Sequence, residues 1–369
     1  MKTFEIFLGT QPGLEPYLLA EAVEAGFPAP QAVGGGVTFE GTWEDVWRAN
    51  ICLRGAARVL ARIGNFRALH LAQLDKRSRK FPWGEVLRPD VPFRVEVATG
   101  KRNKIYHAGA AQERIERAIT EELGAPVAAD APVVLKVRIE DDMVILSVDT
   151  SGEALHKRGF KAGVGKAPMR ETMAASFLRA CGYAGTEPVL DPMCGSGTFV
   201  IEAAEMARGL MPGRGRSFAF EHLVGFDADA VQKIKALGRL RDTQLQFYGS
   251  DRNVNVIGMA GDNATRAGVA DLCHFTPTPI SALERPEGPS GLVIVNPPYG
   301  ARIGKKRDLF ALYGSFGEVM KTRFSGWRVG MITSDRQLAQ ATGLPWLPVA
   351  APVAHGGLKV TLFQTAPLG

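Results

Sequence analysis

Asn296-Pro297-Pro298-Tyr299 ends a short apolar run, Val293–Val295, and sets an amide carbonyl, two φ-locked residues and an aromatic ring side by side. The prolines fix φ and stop the chain from continuing as a strand. Asn296 and Tyr299 are thereby held stiffly at a strand's carboxyl end. An amino group conjugated to a ring is a poor nucleophile, because its lone pair is delocalised. The side-chain carbonyl of Asn296 and the backbone carbonyl of Pro297 can accept its two N–H bonds and favour a pyramidal nitrogen. Tyr299 then offers a face on which an extruded base can stack. The alternative use of these residues is a structural Pro-Pro turn.

A second constellation lies a hundred residues upstream. Asp191-Pro192-Met193-Cys194-Gly195-Ser196-Gly197-Thr198 leaves one strand and opens a helix. Its glycines let backbone approach a ligand, and a helix start offers free N–H groups. No Lys precedes the Ser or Thr, so a Walker loop is excluded, and the dinucleotide pattern GxGxxG is incomplete. What remains suits a nucleoside without phosphates, and the helix start suits a carboxylate such as the methionine end of S-adenosylmethionine. Asp251 closes the next strand, where a carboxylate can accept ribose hydroxyls. Asp227, in VGFDADA, is an earlier candidate for that role. Cys194 could be read as a nucleophile, but inside the glycine turn it is better read as a small turn residue facing the cofactor. A methyl already carried on a sulfonium needs no strong base, so positioning is expected to supply much of the rate.

These residues need a scaffold of alternating strands and helices. The second half supplies the pattern: strands at 187–190, 245–249, 291–295, 328–333 and 359–365, with helices at 198–208, 252–267 and 308–322. Repeated βα units predict a parallel sheet covered on both faces, with ligands at the strands' carboxyl ends. The first half reads as mixed α and β, with strands at 3–8, 57–64 and 92–98 and helices at 14–26 and 108–123. A hairpin follows, 133–139 and 143–148, turning at Asp141-Asp142. Gly159–Pro168, rich in Gly and Lys, is the predicted linker.

Of a net charge of +6, the whole excess falls between Arg67 and His107. Lys76, Arg77, Arg79 and Lys80 run into Phe81 and Trp83; Lys101, Arg102 and Lys104 run into Tyr106 and His107. Cations interleaved with aromatics suit phosphate contact plus base stacking, and a solvated charged face is the competing reading; Trp83 serves equally as core. Lys305 and Lys306 form a second basic run beside the Asn296 motif. No apolar run approaches the length needed to span a bilayer. Four cysteines without a CxxC pair fit reduced thiols in a cytoplasm and give no metal signature. The charge pattern points to a polyphosphate partner such as nucleic acid, which the resemblance below narrows to RNA, with no membrane and no metal expected.

Together these residues resemble a Rossmann-like class I methyltransferase of the amino-methylating kind. LSVDTSGEALHKRGFK (146–161) resembles the end of a THUMP domain, an RNA-binding module. The stretch from Ala167 to Ala174, DPMCGSGTFVIEAA (191–204), FAFE (218–221) and HGGLKVTLFQ (355–364) resemble the bacterial 23S rRNA guanine-N2 methyltransferase family, in the form without a fused second methylase. The resemblance implies a ferredoxin-like segment at 1–55, a THUMP domain at 56–160, and at 161–369 a catalytic domain on a seven-stranded, mostly parallel sheet. It implies S-adenosylmethionine held at Asp191, Met193, Cys194, Gly195, Gly197, Thr198 and Asp251, and a flipped guanine at Asn296, Pro297 and Tyr299. Where the family has an acid near the adenine, this chain has Pro279, so adenine contact falls to backbone near Ile280. A tRNA guanine-N2 methyltransferase would share the THUMP domain and the Asn-Pro-Pro-Tyr motif, and none of these residues separates the two. DNA adenine or protein glutamine methylation also uses the Asn-Pro-Pro-Tyr motif but leaves the basic half unused. A nicotinamide-dependent oxidoreductase would leave Asn296 and the prolines unexplained, and a non-catalytic RNA-binding protein would not need Asn296 and Asp191.

Overall fold

The computed structural model describes residues 3–162, 169–238, 240–299 and 306–369, with the side chain of Lys306 left out. It falls into two compact units: residues 1–10, 19–155 and 216–237 form one, and residues 11–18, 156–215 and 238–369 the other.

In chain order the elements of the first half are β1 (Phe4–Gly9), α1 (Glu15–Glu24), β2 (Gln31–Val33), β3 (Gly36–Gly41), α2 (Trp43–Cys52), β4 (Arg58–Arg67), α3 (Leu71–Arg79), β5 (Phe93–Thr99), α4 (Ala108–Leu123), β6 (Val133–Glu140) and β7 (Met143–Asp149). Their seven strands make one sheet in the order β2-β3-β1-β4-β7-β6-β5. β4 pairs antiparallel with β1 on one side and with β7 on the other. The segments 1–55 and 56–160 are therefore joined through a single continuous sheet. The β6–β7 hairpin turns at Asp141 and Asp142, both at positive φ, as a two-residue connection between right-twisted strands favours. α4 stops at Gly124, whose φ of 83° lets its N–H bond the Thr120 carbonyl.

The second half contains α5 (Glu171–Ala180), β8 (Val189–Asp191), α6 (Thr198–Arg208), α7 (Ala228–Ala236), β9 (Phe247–Ser250), α8 (Val254–Ala267), β10 (Cys273–Thr276), β11 (Leu292–Val295), α9 (Lys306–Arg323), β12 (Arg328–Thr333), α10 (Arg336–Ala341), β13 (Val353–His355) and β14 (Leu358–Gln364). The sheet order is β10-β9-β8-β11-β12-β14-β13; the first five pair parallel, and β14 pairs antiparallel with both β12 and β13. The expected mostly parallel seven-stranded sheet is present. All four residues of β11 are buried, as a central strand covered on both faces requires. Ile294 joins the core on one face with Val189, Phe199 and Ile332; Val293 and Val295 join that on the other with Leu190, Tyr313 and Met331.

α7 lies between α6 and β9 in sequence, but its residues cluster with the first unit, where it packs on α2. The predicted linker is corrected in its first part. Phe160 is buried, the neighbouring Arg158 pairs with buried Glu202 at 3.3 Å, and Lys161 pairs with Glu171 at 3.2 Å. An aromatic and two cations in a glycine-rich stretch fasten it to α5 and α6. Residues 163–168 lie outside those described. No helix among the described residues is long and apolar enough to cross a membrane, and no metal-holding group of His, Cys, Asp or Glu occurs among them.

Candidate active site

β8, β9 and β11 run parallel and side by side, so the turns that follow them leave the sheet at one end. Adjacent strands lie about 4.8 Å apart, which brings the Asp191 turn, Asp251 and the Asn296 motif together. Val293 of β11 is opposite Leu190 of β8, and Asp191 is opposite Gly249 of β9.

The glycine turn is held by carboxylates and by the strand ends. Asp191 Oδ1 accepts from the Met193 amide at 3.0 Å, and Asp251 Oδ2 accepts from the Gly195 amide at 3.2 Å. The Cys194 amide donates to the Ser250 carbonyl at 2.9 Å. Asp251 Oδ1 accepts from the Asn253 amide at 3.0 Å, at the start of α8. The two glycines differ in purpose. Gly197, at φ 83°, is a packing glycine: a β-carbon there would stand 3.1 Å from both Ala260 and Phe275. Gly195, at φ 51°, faces open space, with nothing within 4 Å of a would-be β-carbon. That open face is where a ligand can reach the backbone.

Asp191 is buried, and burial pushes its carboxyl up to about 8; the Met193 amide opposes the shift and the charge of Asp251 adds to it. The free protein therefore holds a proton there that the unfolded chain has released above the ordinary value of 3.8. The folded form binds more protons between these limits, so stability falls as pH rises from about 4 to about 8. Melting temperature measured across that range is expected to decline more steeply for wild type than for Asp191→Asn. Equal slopes would mean that Asp191 is already ionised. Cys194 is buried, and burial, together with Asp191 and Asp251, holds its thiol well above the usual range. It is a poor nucleophile, and its sulfur packs beside Gly249.

Asn296 follows β11 and is partly buried, Pro297 is buried, and Tyr299 packs against the cores on both faces of the sheet. Burial pushes the Tyr299 hydroxyl up to about 12, so it stays neutral. The Oδ1 of Asn296 is buried and has no hydrogen-bond partner among the described residues. An acceptor shut off from water normally finds a donor, and leaving it without one costs about 1–3 kcal/mol.

The remaining predicted residues are placed as follows. Thr198 is buried and its hydroxyl accepts from Lys161 Nζ at 2.8 Å. Met193 is half-buried, and Ile280 is buried in a single 3-10 turn after β10. Asp227 caps α7, accepting from the Ala230 amide at 3.0 Å, and belongs to the other unit. It is not a strand-end carboxylate. Lys76, Arg77, Lys80, Lys101, Arg102 and Lys104 are exposed on the first unit. Lys76, Arg77 and Lys80 share a surface groove with His70 and Gln73. Arg79 departs from the basic patch: its guanidinium pairs with Asp75, Glu121 and Glu122 and ties α3 to α4. Trp83 is core, 2% exposed, and donates to the Ser78 carbonyl at 2.7 Å. Lys305 lies outside the described residues; Lys306 opens α9.

Three supporting residues were missed. Asn263 of α8, fully buried, donates to the Ser196 carbonyl at 3.1 Å, and Arg266 bridges it to the Phe160 carbonyl. An amide on the apolar stripe Ala260, Ala264, Ala267 was the available signal. Tyr313 of α9 donates to the Pro298 carbonyl at 3.3 Å; its position in a stripe with Leu309, Phe316 and Met320 reads simply as core.

The sheet order, the open glycine turn and the proline-locked strand end define a class I methyltransferase fold, preceded by a ferredoxin-like region. A family model described as the RMKL-like methyltransferase domain matches residues 158–352, more than half of the chain, and an RlmL ferredoxin-like domain model matches residues 5–60. The chain belongs to the RMKL-like methyltransferase family. Two curated relatives are both named ribosomal RNA large subunit methyltransferase K/L. The protein from Psychromonas ingrahamii is 35% identical over 92% of this chain, and that from Vibrio campbellii is 33% identical over 89%. The chain spans 47% and 48% of their lengths, about half. Among solved structures, SMU.472, named as a methyltransferase and solved with SAH, superposes with a TM-score of 0.89 at 27% identity, over 100% of this chain and 99% of its own.

Proposed function

We propose that this chain transfers a methyl group from S-adenosylmethionine to the exocyclic N2 amine of an extruded guanine in 23S rRNA. The observation that carries the reading is the buried Oδ1 of Asn296, without a hydrogen-bond partner among the described residues, at the end of the strand beside the Asp191 turn. A carbonyl so placed fits the N–H donor that a bound base would bring. The Pro297 carbonyl takes the second N–H, and Tyr299 stacks on the base. The open backbone at Gly195 fits close approach of a nucleoside. Asp251 accepts from its ribose, while Asp191, Met193, Cys194 and Thr198 shape the turn around it and Ile280 borders the adenine. The cofactor supplies a methyl on a positively charged sulfur; the chain's residues orient the amine and exclude water. The names of the curated relatives favour rRNA as substrate.

Region 56–160 serves as a THUMP-like RNA-binding module, with Lys76, Arg77, Lys80, Lys101, Arg102 and Lys104 toward phosphates. Neutralising Lys76, Arg77 and Lys80 together is expected to weaken RNA binding and to lower the slope of log affinity against log salt by about 2. Filter binding across a salt series measures it, and an unchanged slope would remove the patch. Arg79→Ala is expected to lower melting temperature instead, because it unties α3 from α4.

The direct test incubates the protein with labelled S-adenosylmethionine and either rRNA or tRNA from a strain lacking its own gene, then maps the modified base. Label on a guanine of 23S rRNA is expected. Label only on tRNA or on adenine would replace the substrate, and no label on any RNA would end the reading.

A further inference from the structure

We infer that Tyr313 is a positioning residue for the Asn296 motif, setting the one backbone torsion that the prolines leave free. The inference rests on the proposed reading of Asn296 and Tyr299 as the groups that hold the base. From Asn296 to Tyr299 the chain has few soft angles. Ring closure fixes φ at Pro297 and at Pro298. Each residue before a proline is restricted in turn, which confines Asn296 and Pro297 to extended ψ. The peptide planes are rigid. The torsion left free is ψ of Pro298, and it sets the direction in which the chain delivers Tyr299.

The Pro298 carbonyl reports that torsion, and the Tyr313 hydroxyl lies 3.3 Å from it. A carbonyl can only accept, so Tyr313 spends its single proton there. Thr333 Oγ1, 3.2 Å from the same hydroxyl, must then be the donor in that contact. The Asp335 amide donates to Thr333 at 3.2 Å, and Asp335 in turn caps α10. Tyr313 is 1% exposed and Thr333 is fully buried, so no water competes for these bonds. The relay from α10 through the end of β12 to α9 holds the plane immediately before Tyr299. Deleting one oxygen frees that plane while leaving the ring of Tyr313 packed.

The test has two arms. In 15N-tyrosine-labelled protein without cofactor or RNA, the Tyr299 amide shares a peptide plane with the Pro298 carbonyl. The chain has only six tyrosines, so its resonance can be assigned by loss in Tyr299→Phe. Tyr313→Phe is expected to shift or broaden it, and Thr333→Val to do so less. An unmoved resonance in Tyr313→Phe overturns the inference whatever the protein's activity. In the turnover arm, Tyr313→Phe is expected to lower kcat by about tenfold or more, with cofactor Kd nearly unchanged and a modest fall in melting temperature from the Pro298 carbonyl left unpaired. The same substitution is expected to cost little further in a Tyr299→Ala background, because the two act through one group. Equal losses in both backgrounds, or a fall in cofactor affinity matching that in kcat, would reduce Tyr313 to ordinary packing and overturn it. If wild type methylates no RNA, the proposed function falls, and the amide resonance alone decides this inference.

Discussion

Replacing Asn296 with alanine is expected to lower methyl transfer by about 10²–10³-fold or more, the loss typical when one preorganised polar group is taken from an active site. The physical ground is the lone acceptor. Asn296 Oδ1 is sealed from water and bonds to no other group among the described residues. The proposed reading assigns that cost to holding the base's amine. In Asn296→Ala the unsatisfied oxygen is gone, so melting temperature is expected to hold steady or rise as activity disappears. Cofactor affinity, measured by calorimetry, is expected to change little, because the proposed cofactor contacts come from the turns after β8, β9 and β10. Three readouts moving in this pattern separate loss of chemistry from loss of fold. Turnover within a few-fold of wild type would show that the amine is held elsewhere and would dissolve the catalytic assignment. A parallel fall in melting temperature would mean that Asn296 is a buried structural amide.

Much of this site was legible because its signals are local. Two prolines beside an Asn and a Tyr constrain their own backbone, and glycines between a strand and a helix announce a turn. α6 and β12 fall on the predicted residues, as does α4 with its Gly124 stop. What the sequence hid depends on partners far along the chain. Arg79 looks like one of four adjacent cations until Glu121 and Glu122, more than forty residues away, come into reach. Trp83 beside a basic run has the pattern of a stacking platform, and only the fold shows its ring in the core. The three-residue strand β2 is too short to carry a period, and its residues are all exposed. α7 is absent from the helices expected of the βα series, and its residues cluster with the other unit. Tyr313 is hidden for a different reason: one hydroxyl on an otherwise apolar helix face leaves the periodicity intact.

The choice of Asp251 over Asp227 turns on the same contrast, and it yields the largest binding effect. Asp227 uses its carboxylate to cap α7 and is expected, as alanine, to cost about 1 kcal/mol of stability and no cofactor affinity. Asp251 stands after β9 with each oxygen accepting one backbone amide, Gly195 and Asn253, and each retains room for a second donor. Two ribose hydroxyls fit that capacity. Hydrogen bonds to a carboxylate acceptor contribute about 1.5–3 kcal/mol each, so losing both is expected to weaken S-adenosylmethionine binding in Asp251→Ala by about 10²–10⁴-fold, at about tenfold per 1.4 kcal/mol. The substitution also releases the Gly195 amide, so affinity alone would not distinguish a lost ribose contact from a slackened turn. A 2′-deoxyribose analogue of the cofactor does. Wild type is expected to prefer the ribose form, and Asp251→Ala to bind the two forms alike. If the variant keeps the wild-type preference, the hydroxyl is read by another group, and Asp251 serves only to hold the glycine turn in shape.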